Sequence, residues 1–132
     1  MTRFDASTAA TRIELVADAI AAHRERGSPY TTITVEPTDT DRELGHGAPW
    51  VQYFDGTVAL DCTEYELEQL KSLCSEFSSF SIEELVEPEE AEGTHARLTA
   101  RTDDERVAQF VDRVFQDVFD RPASYRLWVT DI

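Results

Sequence analysis

Lysine is almost missing from this 132-residue chain. Lys71 is the single lysine beside eleven arginines, and these twelve basic residues face 27 acidic ones, for a formal charge of −15. No basic cluster exists to neutralise phosphates and release counterions, which argues against a nucleic-acid partner. Long apolar runs are missing as well: none approaches the roughly 20 residues that span a bilayer. The opening MTRFDASTAA has no apolar signal core. A soluble, cytoplasmic protein without a membrane partner is expected.

Cysteine is scarce, with only Cys62 and Cys74. On a helix beginning near residue 64, Cys74 lies about 15 Å along the axis at about 1.5 Å per residue, whereas a disulfide needs Cα atoms within about 7 Å. Two buried, reduced thiols are therefore expected. Of the three histidines, His23, His46 and His95, none has another His or a Cys at zinc-site spacing. Nucleophile elbows, phosphate loops and paired metal-ligand motifs are also absent. Carboxylates are so abundant that a pair carries no signal. No catalytic residue, metal or cofactor is indicated, and the chain reads as non-enzymatic.

What is present is acidity spread over every segment rather than gathered in a tail. At low salt such self-repulsion destabilises a compact state, while molar salt shortens the Debye length to about 3 Å and removes most of it. Dispersed acidity with arginine in place of lysine resembles the cytoplasmic proteins of extremely halophilic archaea, and implies adaptation to salt more than an acidic binding surface. The segment DTDRELGHG carries Asp39, Asp41, Glu43 and His46, which could gather around a cation, but its Gly does not fall at the sixth position of an EF-hand loop and the terminal bidentate Glu is absent. A solvated acidic loop is expected there.

Helical spacing of Ile13, Val16, Ile20 and His23, with Ser7 or Thr8 as cap and Gly27 as terminator, predicts a first helix. His23 is expected to be a partly buried packing residue with its polar edge hydrogen-bonded. YTTITVE, residues 30 to 36, is β-branched and alternating, a strand. TEYELEQLKSLCSEF opens with Thr63 and Glu66 in capping-box spacing and places Leu67, Leu70, Cys74 and Phe77 on one face. FSIEELVEP and THARLTA read as paired strands, with His95 at the surface or an edge. Thr102 and Glu105 form a second capping box before a third helix, whose Val107, Phe110, Val111, Val114, Phe115 and Val118 make a wide apolar stripe. SYRLWVTDI is a closing strand.

The most informative stretch is APWVQYFDGTVALDC, residues 48 to 62. Asp55-Gly56 is the dipeptide favoured in a two-residue type I′ turn, because both central residues need positive φ. That turn sets Val51, Tyr53, Val58 and Leu60 on one face of a hairpin and Trp50, Gln52, Phe54, Thr57, Ala59 and Asp61 on the other. Alternation in the closing strand likewise puts Leu127 and Val129 on the helix-covered side, and Arg126, Trp128, Thr130 and Ile132 opposite. Both tryptophans then share the mixed face. Contiguous apolar patches mark interaction sites, with Trp, Tyr and Arg as favoured anchors, so Trp50, Gln52, Phe54, Arg126, Trp128 and Ile132 are the candidate interface. Two alternatives stand beside it: the C-terminal strand or a loop folds over this face, or a ligand pocket lies under the aromatics.

The predicted order α-β-β-β-α-β-β-α-β implies one α+β domain over residues 1–132, with a mainly antiparallel sheet and its helices on one face. Over about residues 7 to 119 this order resembles the type III secretion chaperone-like fold shared with the YbjN-like proteins, and the chain is similar to small acidic proteins of halophilic archaea. The fold resemblance implies a small acidic homodimer that binds a partner protein, its identity unknown, rather than a catalyst. The final strand departs from that pattern. The functional expectation is a non-enzymatic interaction module, adaptor, chaperone-like or regulatory. A small-ligand or cation-sensing domain, using a pocket between the loop at 37 to 48 and the aromatic face, is the alternative. An enzyme without a recognisable motif is the third reading.

Overall fold

In the computed structural model the described residues are 5–27, 30–35, 39, 43, 48–87 and 93–129. Seven strands form one antiparallel sheet: β1 (Asp5–Ala6), β2 (Thr31–Val35), β3 (Trp50–Phe54), β4 (Thr57–Cys62), β5 (Phe80–Val86), β6 (Thr94–Ala100) and β7 (Leu127–Val129). Their spatial order is β1-β7-β2-β3-β4-β6-β5. Helices α1 (Ala9–Glu25), α2 (Glu64–Glu76) and α3 (Asp104–Arg113) pack on one side of the sheet, and the last continues through a π turn at Val114–Val118. The α+β class and element order match the sequence expectation, with the two-residue β1 added at the start.

Local chemistry explains the boundaries. Thr8 caps α1 in a reciprocal box with Thr11, and Thr63 caps α2 with Glu66. Each box satisfies two otherwise orphaned amide donors. At α3 the expected Thr102 cap is displaced by one residue: Asp103 accepts from the Arg106 amide at 2.9 Å. A carboxylate there meets the same donor and also the positive end of the helix dipole. At the tip of the β3–β4 hairpin Asp55 and Gly56 both have positive φ, 44° and 82°, as the type I′ turn requires. The register follows, pairing Val51 with Leu60, Gln52 with Ala59, Tyr53 with Val58 and Phe54 with Thr57.

The covered face carries the core. Ile33, Val51, Val58, Leu60, Ala96, Leu98 and Leu127 are fully buried against the helices, each large aliphatic contributing about 1.5–3 kcal/mol by leaving water. Phe80 stacks on Phe110 at 3.9 Å, and Phe77 meets both edge-on. The third-helix stripe is buried throughout, although its last turn is π rather than α: the Phe119 amide donates to the Val114 carbonyl five residues back. On α2 the buried positions are Leu70 and Leu73, followed by Phe77, while Leu67 and Cys74 are only half-buried. Of the two free thiols, then, Cys62 is buried and Cys74 is not fully so.

One feature of the core escaped the apolar pattern. Arg12 is fully buried, its Nε donating to Asp112 at 2.7 Å and its Nη1 to the carbonyls of Ser7 and Tyr125. The Tyr125 hydroxyl and Gln116 both donate to Asp112. Arg12 also lies 4.0 Å over the Tyr125 ring. This network ties α1, α3 and the segment entering β7 together. Burial, then the nearby Asp112 carboxylate, pushes the Tyr125 hydroxyl far above its ordinary pKa.

Candidate functional site

The sheet's second face begins with strand alternation. Residues that point away from the helices come in cross-strand rows, and the registers give the rows directly. One row runs Asp5, Trp128, Thr34, Trp50 through the pairings β1–β7, β7–β2 and β2–β3. It continues beyond β4 with the pairs Asp61–His95 and His95–Val86. With strands about 4.8 Å apart, the two tryptophans sit about 10 Å apart, one on each side of Thr34. A second row carries Thr32, Gln52, Ala59, Arg97 and Glu84. A third carries Phe54, Thr57, Thr99 and Ser81.

Helices α1, α2 and α3 pack against the opposite face from these rows. Trp50, Gln52 and Trp128 are half-buried by their neighbours, whereas Phe54 is 47 % exposed and packs against exposed Tyr30, the rings tilted at 50° with centroids 5.4 Å apart. Arg126 stands at the margin, 3.5 Å from Asp5. The structure thus places Trp50, Gln52, Phe54 and Trp128 together on one surface with Arg126 beside it. Ile132 and Thr130 lie outside the described residues.

The charges on this surface partner one another. Asp5 meets Arg126, Glu84 lies 3.6 Å from Arg97, and Asp61 accepts from His95 Nδ1 at 2.7 Å. Glu83, at a bulge in β5, accepts from the Thr99 hydroxyl. His95 is therefore neither an edge residue nor alone. It belongs to an inner strand, holds a carboxylate partner, and packs its ring 6.3 Å from that of Trp50. Because the Asp61 carboxylate can only accept, the bond places a proton on Nδ1.

Chemistry beyond binding has little to work with here. Among the described residues no hydroxyl or thiol bonds to the free nitrogen of His95, and no three His, Cys, Asp or Glu side chains gather around a cation position. Burial pushes the Cys62 thiol up to about 11, with Glu66 and Asp61 adding to it, and raises Cys74 too. Neither is a poised thiolate. Of the acidic loop, Asp39 and Glu43 are exposed and helical rather than in a loop, while Asp41 and His46 lie outside the described residues. Most of the pocket expected between residues 37 and 48 and the aromatics lies outside them as well.

A separate concavity was not visible in the sequence. A cleft of about 250 Å³ opens between the end of α1 and the β3–β4 turn, lined by Ile20, His23, Arg24, Thr31, Tyr53, Phe54 and Asp55 among others. His23 is only 7 % exposed, yet neither ring nitrogen has a hydrogen-bond partner. The expectation of a satisfied imidazole is thereby corrected. Packing of α1 against its neighbours buries the ring without bringing a polar group to it.

A family model matches residues 1–132, the full length of the chain. The chain belongs to DUF7975, a family of unknown function. No curated protein and no solved structure matches it. Nothing in the membership assigns an activity, so the functional reading rests on the geometry. Among the described residues, no helix is long and apolar enough to cross a membrane.

Proposed function

We propose that this member of DUF7975 is a non-enzymatic protein-interaction module of a salt-rich cytoplasm, and that it pairs with a second copy of itself through the uncovered sheet face. The observation that carries this reading is the contrast in charge. The whole chain is −15, yet among the described residues of this face, Asp5, Asp61 and Glu84 each have a cationic or imidazole partner within 3.6 Å, and Glu83 accepts from a hydroxyl. Molar salt screens charges more than about 3 Å apart, so repulsion between two copies acts only where their surfaces touch; contact is then opposed over most of so acidic a surface, and least where the charges are already matched. The half-buried tryptophans and exposed Phe54 supply apolar anchors for such a contact, and a two-fold pairing makes the patch its own complement. The resemblance to acidic, homodimeric chaperone-like folds supports the same reading.

Light scattering after size exclusion in molar KCl tests it. A particle of twice the 15.0 kDa chain mass is expected, and a monomer at high concentration overturns the pairing. The salt reading has its own measurement in the same samples. On lowering KCl from molar to about 0.1 M the Debye length grows from about 3 to about 10 Å, and the melting temperature should fall. An unchanged melt over that range removes the halophilic reading.

A further inference from the structure

The cleft at the end of α1 has a chemistry distinct from that of the sheet face. We propose that it binds a small organic cation, a primary amine or a guanidinium group. Four observations converge on that class. Buried His23 lines the cleft, its two ring nitrogens unpartnered and closed off from solvent in this ring orientation, and an imidazole in its neutral form accepts one hydrogen bond and donates another. Half a turn of the ring about Cβ–Cγ exchanges nitrogen and carbon positions, so the acceptor can be presented without moving the backbone.

The walls supply the rest. The aromatic side chains of Phe54 and Tyr53 are part of the lining, and an organic cation that reaches a ring face is held by the aromatic quadrupole. Asp55 stands at the rim on the hairpin turn, and the C-terminal end of α1, the negative end of its dipole, closes the other side. Among the described residues of the lining the cation is Arg24, which is already held by Asp104 at 2.6 and 2.9 Å through two nitrogens. Its charge is matched before any ligand arrives. An anion would meet Asp55 and the helix end, and a neutral apolar molecule would leave His23 unsatisfied.

The test is a titration of the full chain with butylammonium chloride, using butanol and sodium butyrate as neutral and anionic probes of similar size, at fixed ionic strength. Amide and imidazole NMR shifts are followed. Butylammonium should give saturable shifts confined to Ile20, His23, Thr31 and Asp55, with Kd on the order of a millimolar for so few atoms. The other two probes should bind at least about tenfold more weakly. Asp55→Asn keeps the turn, because Asn tolerates positive φ, and it should weaken binding about fivefold, as should His23→Leu. Glu68→Gln, the same loss of charge on α2, should change nothing. Shifts spread over acidic residues of the whole surface reduce the effect to counterion attraction and overturn the proposal, as does an equal response to butanol. Unweakened binding by Asp55→Asn overturns it too. That variant decides the matter alone if His23→Leu fails to fold.

Discussion

The two faces of the sheet are made by the same strands and differ in almost every other respect. In β4, Val58, Leu60 and Cys62 are buried under helices, while Thr57, Ala59 and Asp61 between them look the other way. Among the described residues the helix-covered side encloses one ion pair, Arg12 with Asp112, fully hydrogen-bonded to its neighbours at the carboxylate. On the other face the pairs Asp61–His95 and Glu84–Arg97 are solvent-exposed, beside aromatic rings. A two-residue period thus lets one strand encode a core and a recognition surface at once. The same charge–charge contact means different things on the two sides. Surface pairs contribute little to stability. A buried charge that loses its partner is costly.

The largest expected effect breaks the buried pair. Asp112→Ala leaves the Arg12 guanidinium uncompensated in the core and should cost about 3–5 kcal/mol in urea unfolding. Removing both charges together, as Arg12→Met with Asp112→Leu, should cost far less. If the single and double variants unfold alike, the distinction between the faces fails for electrostatics.

Next comes a pair of truncations. Leu98→Ala, on the covered face, should lose about 2–5 kcal/mol of folding stability. Trp50→Ala should instead lose about 2 kcal/mol or more of association and keep the circular dichroism of a folded monomer. A Trp50→Ala chain that unfolds without passing through a folded monomer would assign Trp50 to the core and erase the contrast.

A smaller effect appears in alkali. Because burial raises the Cys62 thiol from 9.0 to about 11, the folded chain holds that proton more tightly than the unfolded one. Its contribution is complete below about pH 9 and lost as pH rises through about 11. Melting temperature should therefore drop more steeply over that window in the parent than in Cys62→Ala; equal slopes would show that burial does not govern this thiol.

The smallest effect is on the uncovered face. Asp61→Asn removes the charge facing His95 and should shift monomer stability by less than about 0.5 kcal/mol. A loss of several kcal/mol would mean that this face is buried after all.

Much of this architecture was legible because its signals are local. Asp55-Gly56 determined the hairpin, its register and hence which aromatics share a face. Thr63 and Glu66 determined the start of α2. What could not be read was non-local or one residue fine. Arg12 sits on the same helical stripe as Val16, Ala19 and His23, so its spacing was available, but an arginine on an apolar stripe signals burial only once its partner is known. That partner, Asp112, lies 100 residues away. The Asp61–His95 pair depended on β4 lying beside β6, and the cleft at His23 on where α1 ends relative to the β3–β4 turn. The π turn in α3 left no mark, since its residues continue the apolar stripe unbroken.

The position of β7 has a consequence for how the molecule is made. Residues 127–129 slot between β1 and β2, pairing Val129 with Ile33 and Trp128 with Asp5. On a ribosome, where domains emerge at about 5–20 residues per second, β2 therefore waits with one bare edge while the roughly ninety residues between it and β7 are synthesised. Pairings so distant in sequence are slow to form, and a bare edge is a template for joining a neighbouring chain. Dispersed negative charge opposes that joining only where chains touch or where salt is dilute, since molar salt screens it beyond about 3 Å, so the empty slot between β1 and β2 is most exposed to pairing with another chain in the salt that best supports the folded state.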